Sequence, residues 1–364
     1  MKNLLLILLL LLTGEISAQQ TATIVVKTTP DNEIAYWPTG KDHLFFITLG
    51  TKAQADPQGQ FVHEFSVSRP TTIHVWAKEN NSFTLYLTPG SKDTIAVAKD
   101  TINFSGTNRV YNRCLKAVDD YQQYSDNLIY MQPHELEGVT SLEQYHQLAD
   151  ARMKQALDSV NASGLDKEFL AEQRAHIDYT HRSIFLHVAM YLVKNENFTE
   201  NWRKELAEII NQPVDSDYLR SYRGIGLFIN DLIGAQFIKL ENGKPEEIKD
   251  YCAFRFDRYR KFFKGDNLQY AQALLIYEDE FQTRNTPSIP QLYERYKAEF
   301  PNSPFLSVLE PGVNKNLRFQ NSRIDDKDYH ILPCDSTVEN LEDAVKPFKG
   351  KVVYIDVWAT WCGP

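Results

Sequence analysis

The chain has 364 residues, 43% of them hydrophobic and 12% aromatic, and a formal net charge of −9. That length calls for two or three domains rather than one core, and the apolar content excludes an intrinsically disordered chain. With no block of Lys and Arg anywhere, the acidic balance argues against a nucleic-acid partner, because neutralising phosphates takes a basic face.

Residues 1–18 read as an export signal: Lys2 is the positive start, residues 4–12 are an apolar run, and Ile16-Ser17-Ala18 is a small-residue cleavage site. The run is too short for a membrane span, which takes about 20 residues, and no Cys stands beside the cleavage site to carry a lipid. Removing this segment takes away Lys2 and Glu15 together, so the mature charge stays at −9. The expectation is an exported chain that spans no membrane.

From 19 to 107 the pattern is β. Residues 23–27, 43–49, 61–68, 72–78, 83–87 and 94–98 are β-branched and aromatic runs of strand length, separated by turns such as Pro30-Asp31-Asn32, Asp56-Pro57 and Pro89-Gly90-Ser91. The alternation in Phe61-Val62-His63-Glu64-Phe65 and Thr72-Ile73-His74-Val75-Trp76 gives each strand one buried face, which predicts an antiparallel sandwich or barrel-like domain.

Near Asn108 the period changes to 3.6, with Val110, Cys114, Val118 and Tyr121 on one stripe. Ser141 and Gln144 form a capping box, Gly164 is a stop, and further helices are predicted over 167–194, 199–211, 216–239, 245–263, 267–283 and 289–300. Residues 108–310 therefore read as an all-α domain. Pro311-Gly312 and the polar residues after it predict a linker over 311–328. A third unit, 329–364, follows: a short strand near 329–332, a capping box Ser336…Glu339 with a helix to about 345, and an apolar strand at 351–357 suited to a sheet covered on both faces.

Most candidate chemistry along the chain has an ordinary structural explanation. His176, His181 and His187 share a predicted helix at spacings of five and six, not the three or four that a helical metal pair needs. Glu278-Asp279-Glu280 reads as a solvated helix face. Cys114 and Cys252 lie on apolar stripes, as small buried hydrophobes or as a bridge between two helices. No phosphate loop, metal motif or cofactor motif is present.

The last residues are different. In Asp356-Val357-Trp358-Ala359-Thr360-Trp361-Cys362-Gly363-Pro364, a thiol follows a central strand and sits at the predicted start of a helix. There, unpaired backbone N–H groups and the helix dipole favour the thiolate, lowering a pKa that begins near about 8.5. Gly363 permits the tight turn and Pro364 suits the first helical turn, while Asp356 is a buried carboxylate able to accept a proton during exchange.

This segment resembles the active site of thioredoxin-fold oxidoreductases, whose motif is Trp-Cys-Gly-Pro-Cys. With the lead-in Phe348-Lys349-Gly350-Lys351-Val352-Val353 it is most similar to the TlpA/ResA-like disulfide reductases. Leu87-Thr88-Pro89-Gly90-Ser91-Lys92-Asp93-Thr94-Ile95 and Phe104-Ser105-Gly106 resemble the N-terminal β domain of multidomain exported members, and Phe300-Pro301-Asn302-Ser303-Pro304 resembles the end of their helical domain. The resemblance implies that Cys362 is the attacking nucleophile, that Trp361 shields it and that Asp356 assists protonation. It also implies exported protein thiols and disulfides as substrates, a membrane or periplasmic electron donor, no cofactor, and the periplasm or cell envelope of a Gram-negative bacterium. The family's resolving Cys would follow Pro364, so the thioredoxin-like α/β domain is expected to be incomplete in these 364 residues, and this chain is expected to be inactive, with no dithiol reductase turnover. The alternative is a non-enzymatic exported binding protein with a vestigial tail.

Overall fold

A computed structural model describes residues 20–39, 44, 50–77, 81–98, 101–131, 139, 141–194, 197–214, 216–282, 284–322 and 341–352. Residues 1–18, expected to be an export signal, and the residues 353–364 that carry Asp356, Trp361, Cys362, Gly363 and Pro364 lie outside the described residues, as does Cys334.

Eight strands form two four-stranded sheets: β1 Gln20–Lys27, β2 Glu33–Thr39, β3 Thr51–Gln54, β4 Gln60–Val67, β5 Thr71–Ala77, β6 Asn81–Leu87, β7 Lys92–Ala98 and β8 Thr101–Gly106. One sheet has the order β4-β1-β7-β8 and the other β3-β2-β5-β6. Alternation drives the packing: Ala22, Ile24 and Val26 of β1 and Phe83, Leu85 and Leu87 of β6 are buried in one shared core. The sandwich is not purely antiparallel, because β1 and β7 run parallel, with Thr23 opposite Lys92. The turn from β3 into β4 requires Gly59, whose φ is +72° and whose missing Cβ leaves room for the Thr28 carbonyl.

The hand-over from sheet to helix is fixed by one buried carboxylate. Asp93 accepts from the Asn108 backbone N–H at 2.7 Å and from its Nδ2 at 2.9 Å, which orients the start of α1, Arg109–Asp126. Burial raises the Asp93 carboxyl above its usual range, with the Asn108 bonds pulling it back. The helix then lies along β6, the open edge of its sheet. The Thr84 N–H donates to Asp119 Oδ2 at 2.5 Å and the Tyr86 N–H to Asn112 Oδ1 at 2.7 Å. Covering an edge in this way satisfies backbone groups that would otherwise pair with another chain.

Eight longer helices follow: α2 Leu142–Asn161, α3 Lys167–His187, α4 Glu200–Asn211, α5 Ile225–Ala235, α6 Tyr251–Phe262, α7 Gly265–Phe281, α8 Ile289–Glu299 and α9 Leu306–Asn321, then a short α10, Leu341–Val345. Helices α1 to α9 share a second core, separate from that of the sandwich. The capping box forms as the sequence predicts, with the Gln144 N–H on Ser141 Oγ at 3.3 Å and the Ser141 N–H on Gln144 Oε1 at 3.2 Å. Helices α1, α3 and α5 each run on into a π-helical turn.

Two expectations are corrected. Residues 311–321 belong to α9 rather than to a linker: Leu309, Val313 and Asn316 form its buried stripe, and Gly312 leaves room for Glu280 of α7 to press against the backbone. Glu278 and Asp279 do not face solvent; they are buried, and only Glu280 is partly exposed. Arg255 Nη2 reaches Glu278 at 3.4 Å, and Asn316 Nδ2 reaches Asp279 at 3.3 Å, so these carboxylates tie α6 and α9 to α7. Of the expected apolar strand at 351–357, only Lys351 and Val352 are described, and neither is in a strand.

Candidate functional site

A cleft of about 1280 Å³ opens where the second sheet meets the helices. Its walls are the 66–72 turn and β6 on one side, and α1, the first turns of α3 and the 216–223 segment on the other.

In its wall is a closed ring of polar groups, of which Thr84, Asp119 and Arg223 line the cleft. Arg223 Nη1 lies 3.0 Å from His74 Nε2 and 3.4 Å from Asp119 Oδ1. His74 Nδ1 is 3.1 Å from Thr84 Oγ1, which donates to Asp119 Oδ1 at 3.0 Å. Arg223 Nη1 is also 3.2 Å from His74 Nδ1, and because a guanidinium only donates, the imidazole that meets it is neutral. Burial, seconded by Arg223, holds the His74 pKa well below its usual value. Burial pushes the Asp119 carboxyl up, against the pull of Arg223 and Thr84. The ring joins β5, β6, α1 and the segment before α5 at a single point.

On the α3 side, His176 Nε2 is 3.1 Å from Ser221 Oγ, and Ser221 also donates a short bond to Glu172. These are the residue types of a hydrolytic triad, but the connections differ. Ser221 and Glu172 approach the same imidazole nitrogen, Glu172 at 3.9 Å, whereas a triad places the acid on Nδ1 to orient the base. Burial lowers the His176 pKa, with Glu172 opposing. The arrangement locks the 216–223 segment onto α3 and sets up no nucleophile. At the rim, Tyr111 stacks on Tyr86 with ring centroids 4.5 Å apart and donates to Asp166 Oδ2 at 3.1 Å. Gln173, beside Glu172, is 2% exposed, and its Oε1 has no hydrogen-bond partner; leaving such an acceptor unpaired costs about 1–3 kcal/mol.

The pH response of this region has a definite sign. Burial holds His74 and His181 below the usual His value of about 6.5. The unfolded chain takes up these protons as the pH falls through about 6.5 while the folded chain does not, so their contribution is present above that pH and lost below it. His146 acts in the opposite sense, because burial is outweighed by Asp150 and Glu205 and its value rises. The raised carboxyls of Asp119, Asp126 and Asp231 also gain stability on acidification. Comparison with a variant isolates the single group: between pH 7.5 and 5.5, urea unfolding of His74→Gln is expected to lose less stability than the parent. Equal losses would contradict a neutral buried His74.

The other histidines of α3 have structural partners. His181 Nδ1 is 2.9 Å from Tyr121 Oη, and His187 Nδ1 is 3.4 Å from Asp231 Oδ2. Cys114 and Cys252 are free and buried, not bridged, and burial raises both thiols above their usual range. Among the described residues no group of three His, Cys, Asp or Glu is placed to hold a metal ion, and no helix is long and apolar enough to cross a membrane.

Of the sequence candidates, the thiol-exchange set at 356–364 lies outside the described residues, and apart from His176 the cleft draws on residues the sequence did not single out for chemistry. One signal for it was present: Glu172 stands four residues before His176, on one helical face. No protein-family model, no curated protein and no solved structure matches this chain.

Proposed function

We propose that the chain belongs to an exported thiol–disulfide oxidoreductase and exchanges disulfides at Cys362. The observation that carries this reading is the run Asp356-Val357-Trp358-Ala359-Thr360-Trp361-Cys362-Gly363-Pro364, which joins an apolar strand pattern to a thiol at a predicted helix start. The Cys362 thiolate attacks one sulfur of a substrate disulfide. A Cys362–substrate S–S bond forms, the substrate S–S bond breaks, and the second substrate sulfur leaves as a thiolate that takes up a proton, with Asp356 assisting. Release needs a further thiol to attack the mixed disulfide. Trp361 shields the nucleophile, and Gly363 and Pro364 shape its turn. Exported protein disulfides are the substrates, a membrane or periplasmic donor supplies electrons, and the periplasm or cell envelope is the compartment.

Incubation with glutathione disulfide followed by peptide mapping tests the assignment. A mixed disulfide is expected at Cys362, while Cys114 and Cys252, at 3% and 8% exposure, stay unmodified. An unmodified Cys362 in the folded chain would overturn the reading.

A second reading, in which the β and helical parts bind a partner without chemistry, is favoured by the cleft between them.

A further inference from the structure

The cleft has a charge and hydrogen-bond imbalance that the exchange at Cys362 does not use. Six carboxylates line it (Asp119, Asp166, Glu168, Glu172, Asp217 and Asp266) against three guanidiniums, those of Arg69, Arg220 and Arg223. Arg223 is engaged by Asp119 at 3.4 Å, and Arg220 by Asp266 at 3.1 Å and Asp217 at 3.8 Å. Among the described residues, Asp166, Glu168 and Glu172 have no Lys or Arg within ion-pairing distance. Asp166 is the N-cap of α3 and Glu168 and Glu172 lie on its first two turns, where the helix dipole tolerates them. That tolerance explains why the helix accepts the charges and leaves open what they face.

Gln173 supplies an independent observation. It lines the same cleft, it is 2% exposed, and its Oε1 accepts from nothing. The terminal amide torsion is broad, so the oxygen can turn to the cleft without moving the helix. A buried acceptor beside carboxylates that have no Lys or Arg partner matches a ligand group that only donates and is positively charged, which is the chemistry of an ammonium or guanidinium. The volume of about 1280 Å³ exceeds the roughly 300–1,000 Å³ usual for small-molecule pockets, which favours an extended ligand.

We infer that the cleft between β6 and the start of α3 binds a Lys- or Arg-bearing segment of a polypeptide, with the basic side chain seated against Glu168, Glu172 and Gln173. A free polyamine shares the cationic chemistry, and the test separates the two. The measurement is made in a reducing buffer, where no mixed disulfide at Cys362 contributes.

The full chain is titrated into a fluorescein-labelled Lys/Ala hexapeptide and, in parallel, into a Glu/Ala counterpart, with anisotropy as the readout and spermidine as competitor. Saturable binding of the Lys/Ala peptide alone is expected, weakening as salt is raised. Glu168→Gln with Glu172→Gln is expected to weaken it at least about tenfold, the size of one charge-assisted contact. Gln173→Met gives the sharper result: removing an unpaired buried oxygen leaves the chain at least as stable to urea, yet weakens the peptide about tenfold. A merely structural Gln173 would instead lose stability and leave binding unchanged, which would overturn the assignment. So would equal binding of the acidic peptide, absence of saturable binding, or spermidine binding more tightly than the peptide.

Discussion

Arg223→Ala is expected to lower the unfolding free energy by about 3–5 kcal/mol, the usual cost of removing one partner from a buried ion pair. Asp119 and Arg223 have side chains only 10% and 16% exposed, so neither charge can turn to water when the other is lost. The variant leaves Asp119 buried without its cation and the His74 ring without its donor, where strands β5 and β6 meet the helices. The exposed pair Arg260–Glu299 is the natural control: its side chains are 42% and 32% exposed, and Arg260→Ala is expected to cost no more than about 1 kcal/mol. Urea unfolding followed by far-UV circular dichroism compares the two. A cost below about 1 kcal/mol for Arg223→Ala would mean that the ring does not bind the sheet to the helices.

Trp202→Ala is the second large effect, again about 3–5 kcal/mol, as for other deletions of a buried aromatic. Trp202 is 1% exposed and fills the space between Tyr145 of α2 and Phe185 of α3, with ring centroids 6.1 and 5.4 Å away. Three helices therefore lose contacts at once. Trp202 Nε1 is also buried without an acceptor, which works against the native state. Trp202→Phe keeps most of the ring and removes that donor, so it is expected to lie within about 1 kcal/mol of the parent. A Phe variant as damaged as the Ala variant would contradict this account of the site.

The contrast between these residues shows what the sequence makes legible. The switch of period near Asn108 separates sandwich from helices because side-chain repeats of 2 and 3.6 cannot be confused over 80 residues or more. The Ser141–Gln144 box is local chemistry and forms as read. Strands β2, β3 and β8 escape the pattern for local reasons. Strand β2 contains Pro38, which lies past the last residue paired with β3, and β3 has only four residues. The Pro311-Gly312 pair looks like a helix break; α9 continues because Gly312 packs against Glu280, a contact made by a residue over 30 positions away.

The cleft was the least legible feature. His74 and Arg223 are 149 positions apart, and nothing in either neighbourhood announces the other. Three adjacent carboxylates at 278–280 look solvated until Arg255, Thr286 and Asn316 are brought to them by the packing of other helices. Buried polar partners are set by tertiary approach, whereas periodicity reports only which face of an element is apolar.

The most direct test of the functional proposal is the pH dependence of the rate at which Cys362 in the folded chain exchanges with an aromatic disulfide, compared with the same chain in denaturant. A thiolate favoured at a helix start predicts a folded-state profile with an apparent pKa below the roughly 8.5 of a free Cys, and a reaction abolished by Cys362→Ser. A Cys362 that titrates like a free thiol in both conditions would contradict it.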